Sequence, residues 1–320
     1  MSSATDPSSE SEEVQTAGVV GAGEMGPGIA LTFARHGHDV VLVDQQDDIL
    51  ADAMDDIDHF LELLDERELL ADSREEISSR IEPTTDFSSL GGVEYVTEAV
   101  TEDIDVKREV FRRLDETCEE GVVLASNTSS LDVNDIADST ERPERILVTH
   151  WMNPPWVVPV VEVVTGEETS AETEGLVRSL LERLGKDPVV LSGVVPGYLI
   201  NRMNFAIARE ALHMMELGIV NKEDVDTLFT EAFGPRYTLM GPIEMLDLFG
   251  HDTNLAISEY IFPSLSNTDS PSSLLEERVE AGKLGMKTGE GFYTYDAIDR
   301  ETVGEIDREL LDRYLELGRL

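Results

Sequence analysis

Gly21, Gly23 and Gly26 fall at the G-x-G-x-x-G spacing inside GAGEMGPGIA, with Glu24 and Met25 completing the loop. In such a loop the first glycine allows a tight turn, the second lets a pyrophosphate approach the backbone, and the third lets helix and strand pack closely. Pro27 is tolerable because an amide in the first helical turn has no intrahelical partner. Asp44 follows Gly26 by 18 residues, at the end of a second apolar run. A carboxylate there can accept hydrogen bonds from an adenosine ribose and repel a 2′-phosphate, so the motif reads as a site for NAD rather than NADP. Hydride transfer from a secondary alcohol to NAD also needs a base, a partner that keeps the base basic, and polar groups that fix the carbinol. Residues able to do this come in order: Asn127-Thr128-Ser129-Ser130, His150-Trp151-Met152-Asn153-Pro154-Pro155, Glu162, and later Asn201-Arg202.

These groups must be carried by elements that the hydrophobic pattern outlines. Residues 16–44 give an apolar run, the glycine cluster, a helical stretch and a second apolar run, which is a βαβ unit. A long helical region is expected over 44–80, with Ile49, Ala53, Ile57, Phe60 and Leu64 on one face. Apolar runs recur at 95–100, 122–126 and 146–149, alternating with helical stretches such as 105–118. A β-branched run at 157–164 and a helix over 174–184 follow. The rhythm predicts an α/β fold, a Rossmann-type doubly wound sheet. SGVVPGY at 192–198 interrupts it with Gly, Pro and Gly. Later periodic stretches, at 199–217, 224–233, 243–248, 272–280 and 302–317, all read as helical. The expected organisation is a disordered acidic tail over 1–13, an NAD-binding domain over 14–193 and an all-helical C-terminal domain over 194–320.

Across 320 residues, 67 acidic against 24 basic side chains leave a net charge of −43. That excludes nucleic acid and an anionic membrane surface as partners. With 41% apolar residues the chain can bury a sizeable core, in keeping with two domains. Only 5 of the cations are lysines, a pattern that keeps a surface hydrated in concentrated salt and points to a halophile's cytosol. Cys118 is the only cysteine, so no intrachain disulfide forms and a reducing, cytoplasmic compartment is expected. Beside Glu116, Glu119 and Glu120, its thiolate is disfavoured. No stretch reaches the ~20 apolar residues of a spanning helix. Residues 1–13 read as neither a secretory signal nor a presequence. His36, His38, His59, His213 and His251 lack ligand-like spacing, so no metal is expected. Arg112 and Arg113 read as solvated helix charges.

GAGEMGPGIA, VVLVDQ, VTEAVTEDIDVKREVF, ASNTSSL, HWMNPP with VEVV, PGYLINR, GPIEMLDLFG and GKLGMKTGEGFYTY stand in that order over residues 16–295. On these motifs the chain resembles the L-3-hydroxyacyl-CoA dehydrogenase family. The resemblance implies His150 as catalytic base, Glu162 as its carboxylate partner, and Ser129 and Asn201 as the groups that hold the substrate oxygen. It places Asn153 beside the nicotinamide and Glu102, Lys107 and Lys287 around the cofactor, and it implies a homodimer formed by the helical domain. A carboxylate near His150 would raise its basicity. Where the family commonly carries lysines near the CoA phosphates, Asp65-Glu66-Arg67-Glu68 offers only Arg67. The stretch 233–242 instead resembles a sister branch that oxidises free hydroxy acids such as gulonate or carnitine, in which Arg236 could bind a carboxylate bidentately. The expected activity is reversible NAD-dependent oxidation of an L-3-hydroxyacyl-CoA to the 3-ketoacyl-CoA, as in β-oxidation. A free 3-hydroxy acid as substrate, or a non-catalytic NAD-binding, crystallin-like protein, are the alternatives; the intact Ser129, His150, Glu162 and Asn201 set argues against the latter.

Overall fold

A computed structural model describes residues 14–295 and 300–320; the expected tail over 1–13 lies outside the described residues. The chain divides into two units, the first running to Leu199 and including Leu310–Leu320, the second being Ile200–Glu309. The expected division at 193/194 precedes this boundary by six residues. The last eleven residues, expected with the helical domain, go with the first unit, where Leu311 is buried in its core.

The first unit is one sheet covered on both faces. Its strands are β1 (Thr16–Val20), β2 (Asp39–Val43), β3 (Ile81–Thr84), β4 (Tyr95–Glu98), β5 (Val123–Ser126), β6 (Ile146–Trp151), β7 (Val160–Thr165) and β8 (Asp187–Leu191), in the order β3-β2-β1-β4-β5-β6-β7-β8. Alternate residues go to opposite sides, the two-residue period of a strand. Ala17, Val19, Tyr95 and Leu147 enter one apolar cluster and Val20, Val96, Ile146 and Val148 the other. Helices α1 (Gly26–Arg35), α2 (Asp47–Asp65), α3 (Arg74–Ser79), α4 (Ile104–Thr117), α5 (Val133–Ala137) and α6 (Ala171–Arg183) supply the covering layers.

Strands β1 to β6 run parallel, and β7 turns back antiparallel to β6. The cause is the short 152–159 connection with three prolines, because a parallel crossover takes a dozen residues or more. The order reverses between β1 and β4, so the carboxyl ends of these strands flank the crevice where doubly wound sheets bind ligands. Helix α4 starts sharply there because the Asp103 side chain accepts hydrogen bonds from the Asp105 and Val106 amides.

Two expectations change. Residues 44–80 are not one helix: α2 ends at Asp65 and α3 begins at Arg74, with Glu68 at φ 56° between them. Strands β3 and β8 were not anticipated.

The second unit contains α7 (Ile200–Glu216), α8 (Lys222–Leu228), α9 (Gly234–Tyr237), α10 (Pro242–Phe249), α11 (His251–Ile261), α12 (Ser273–Glu280) and the start of α13 (Arg300–Glu316), with a π-helical turn over Phe229–Phe233. Among its described residues there is no strand, and none of residues 200–295 is buried. No described helix is long and apolar enough to cross a membrane.

Candidate active site

His150 and Glu162 stand directly opposite each other in the β6–β7 ladder. Opposed residues of antiparallel strands bring their Cβ atoms within about 5 Å. From there the imidazole Nδ1 and the carboxylate Oε2 meet at 2.8 Å, with His150 6% and Glu162 2% exposed. The other oxygen, Oε1, accepts from the Leu199 amide at 2.9 Å, which fixes the carboxylate plane. With Nδ1 donating to Glu162, the neutral imidazole keeps its lone pair on Nε2, the tautomer a general base requires. Tyr198 packs edge-on to this ring at 5.7 Å and donates its hydroxyl to the Leu131 carbonyl. Burial pushes that hydroxyl's pKa up, so it remains a donor.

The loop after β5 is organised by Glu102. Its Oε1 accepts from the Thr128 hydroxyl at 2.6 Å, the Ser129 amide at 3.0 Å and the Ser130 hydroxyl at 3.2 Å. Burial pushes Glu102 up, but the hydrogen bonds from Thr128, Ser129 and Ser130 and the charge of Lys107 carry it below the usual carboxylate range. Lys107 is 1% exposed, its ammonium on Glu98 at 2.7 Å, on the Val100 carbonyl at 3.3 Å and 3.6 Å from Glu102. Glu98 also accepts from the Ser126 hydroxyl at 2.6 Å and the Val100 amide at 2.7 Å. Neither Glu98 nor Tyr198 was singled out from the sequence. The available signals were a carboxylate ending an apolar run and an aromatic residue after Gly197.

At the β1–β4 crevice the three glycines differ. Gly21 has φ 103°, and a Cβ there would lie 2.6 Å from the Ala99 carbonyl oxygen; at Gly26 it would lie 1.9 Å from that of Gly21. Around Gly23 nothing lies within 4 Å of a Cβ. The chain's own packing thus demands the outer two glycines, whereas the middle one leaves open the space a pyrophosphate would fill. Asp44 lies just past β2, its Oδ2 accepting from the Ala22 amide at 2.9 Å and its Oδ1 from Gln45 at 2.7 Å. A cleft of about 330 Å³ runs from Gly21 and Gly23 past Asp44 to Phe87, Val106 and Arg113. These residues fit a dinucleotide. Glu24 accepts from the Asn153 side-chain Nδ2 at 2.9 Å and so ties the glycine loop to the β6–β7 turn.

The remaining expected residues are divided between the two units. Arg67 grips Asp312 at 2.6 and 3.1 Å through its Nε and a terminal nitrogen. Arg113 is no solvated charge: its guanidinium lies 4.0 Å over the Phe87 ring, half-buried. In the second unit Asn201 is half-buried on the first turn of α7, Arg236 is exposed on α9, and Lys287 is exposed in the Met286–Thr288 turn. Cys118 has its thiol pKa pushed up to about 11, by burial first, with Arg142 opposing and Asp115 adding, rather than by the glutamates beside it in sequence. Among the described residues no group of three His, Cys, Asp or Glu could hold a metal ion.

Comparison with known proteins extends over the same residues. The family model for the NAD-binding domain of 3-hydroxyacyl-CoA dehydrogenase matches residues 16–194, and that for its C-terminal domain matches 197–295. The 3-hydroxybutyryl-CoA dehydrogenase of Clostridioides difficile is 36% identical over 87% of this chain and 98% of its own. The mitochondrial hydroxyacyl-coenzyme A dehydrogenase of Homo sapiens is 37% identical over 87% and 90%. Among solved structures, the NAD⁺-dependent 5-formyl-3-hydroxy-2-methylpyridine 4-carboxylic acid 5-dehydrogenase superposes with a TM-score of 0.90 at 30% identity, covering 96% of this chain and 99% of its own.

Proposed function

The chain belongs to the 3-hydroxyacyl-CoA dehydrogenase family, and from that premise we propose which of its residues carry the reaction. The protein is an NAD-dependent oxidoreductase that reversibly oxidises an L-3-hydroxyacyl-CoA to the 3-ketoacyl-CoA, a step of β-oxidation. NAD⁺, when bound, accepts the hydride from C3 of the substrate. His150 takes the hydroxyl proton on Nε2, and the imidazolium so formed faces the Glu162 carboxylate in a site shielded from water, where that attraction is strongest. Ser129 and Asn201 donate hydrogen bonds to the substrate oxygen as it becomes a carbonyl. Glu102 holds the Ser129 loop at the required height, and Lys107 anchors Glu102 and Glu98 from beneath. Asp44 accepts the ribose hydroxyls, Gly21, Gly23, Met25 and Gly26 shape the pyrophosphate loop, and Glu24 with Asn153 and Lys287 borders the rest of the cofactor.

The observation that carries this reading is the buried His150–Glu162 pair at 2.8 Å. A homodimer and a salt-rich cytoplasm belong to the same proposal. The bare apolar faces of the second unit support the dimer, and the charge of −43 supports the salt.

A free acid as substrate is a second reading. It is favoured by the 0.90 superposition on an enzyme named for a pyridine carboxylic acid and by the capture of Arg67 by Asp312. NADH oxidation measured with acetoacetyl-CoA and with free acetoacetate, at multimolar KCl, separates the two. The thioester is expected to turn over faster at every salt concentration; turnover of the free acid alone would replace the first reading by the second.

A further inference from the structure

Helix α4 carries two neighbouring arginines with opposite fates. Arg112 is held by Glu109 at 2.7 Å and Glu116 at 2.5 Å. Arg113, in a chain of net charge −43, makes no hydrogen bond or ion pair with any described residue and rests its guanidinium on Phe87. Both Arg113 and Phe87 line the cleft that also contains Gly23 and Asp44. Val106, Val110 and Arg113 recur at the spacing of one helix face and all border that cleft, so α4 offers it two apolar side chains and then a cation.

We propose that Arg113, backed by Phe87, is the stacking platform for the adenine of the cofactor and sets the enzyme's affinity for the adenosine half of NAD. This rests on the cleft being the cofactor's site. A guanidinium is planar, is less strongly hydrated than an ammonium and attracts aromatic faces. One of its faces is taken by Phe87, which leaves the other for a second π system of similar size, and a purine is such a group. The ring contact also restricts the side chain's rotamers before the ligand arrives, which lowers the entropy lost on binding. A 2′-phosphate is the competing partner for this cation. Asp44 borders the same cleft with its carboxylate held by backbone amides, and so opposes a phosphate there.

The test measures dissociation constants of NADH, NADPH, reduced nicotinamide mononucleotide and ADP-ribose for the wild type, Arg113→Ala and Arg113→Lys. Comparing ligands within one variant removes any fraction of misfolded protein. Arg113→Ala is expected to reduce the ratio of NADH affinity to mononucleotide affinity by roughly two- to thirtyfold, the range of one cation–π contact. ADP-ribose affinity should fall by the same factor, with Arg113→Lys in between. An unchanged ratio, or a loss confined to NADPH, overturns the proposal while leaving the cofactor site in place. If ADP-ribose fails to compete with NADH on the wild type, the cleft is not the cofactor's and both readings fall.

Discussion

The first unit carries apolar clusters on both faces of its sheet, whereas residues 200–295 of the second contain no buried side chain at all. Leu239 is 81% and Tyr260 86% exposed, and Phe205, Ile243, Leu248 and Phe262 are also exposed. Hydrophobic burial is the largest favourable contribution to folding, so the first unit holds its β6–β7 hairpin on a core of its own. The second has the helices of a domain without the interior, and exposed apolar patches of this extent are what supports the dimer proposed above. The His150–Glu162 pair is therefore held by the first unit's own core, whereas the second unit gains an interior only through that proposed dimer.

Phe33→Ala puts the largest strain on this comparison. Phe33 is fully buried beside Tyr95 and Trp151, the residue after His150. Its truncation should cost about 3–5 kcal/mol in urea unfolding, whereas Tyr260→Ser should change the unfolding of a monomer by less than about 0.5 kcal/mol. Equal losses would show that the two units do not differ in the way described. Next in size, sedimentation velocity of the full chain at micromolar concentration in multimolar KCl is expected to show a dimer. A monomer at all concentrations would leave the second unit's faces uncovered and break the argument for its completion.

Asp44→Ser should raise the NADP-to-NAD ratio of kcat/KM roughly tenfold, about 1.4 kcal/mol, in the range of one screened charge contact. Wild-type preference for NADPH would mean that the carboxylate does not face the ribose.

The last effect, set by pH, concerns Lys186, whose ammonium donates to the Pro155 and Val158 carbonyls within the β6–β7 turn, at 2.7 and 2.9 Å. Burial pushes it down from 10.5 to about 7, with Arg35 adding repulsion. Between those values the unfolded chain binds a proton that the folded chain has released, so stability rises with pH through this window, by at most about 1.4 kcal/mol per pH unit. The neutral amine still donates to both carbonyls. Urea midpoints between pH 7 and 10.5 should show this rise in the wild type and a flatter line in Lys186→Met; parallel lines would remove Lys186 from the account.

Legibility in the sequence followed how local each signal was. The glycine loop, Asp44 and the apolar runs of β6 and β7 were readable because their cues, a turn chemistry and an apolar run, lie within a few residues, whereas the antiparallel return of β7 on β6 was not anticipated. Strand β3 was hidden because its four residues include Glu82 and Pro83, and β8 because an acidic, proline-bearing start precedes its apolar residues. Lys107 was expected near the cofactor, and its burial on Glu98 was not read, since a lysine is almost never fully buried unless paired and this pairing is made by the turn from β4 into α4 rather than by helix or strand spacing. Arg113 was misjudged because Phe87, which draws it off the solvated face, lies outside its own helix and well before it in sequence.

The most direct measurement on the central claim is the single-turnover oxidation of NADH by acetoacetyl-CoA in His150→Gln, with NADH affinity determined on the same sample. Loss of a positioned acid–base group should slow the reaction ~10²–10⁴-fold, while the NADH dissociation constant stays within about twofold of wild type because the site proposed for the cofactor is the β1–β4 crevice, not His150. Turnover near the wild-type rate would contradict the assignment of His150 as the base on which the rest of the account depends.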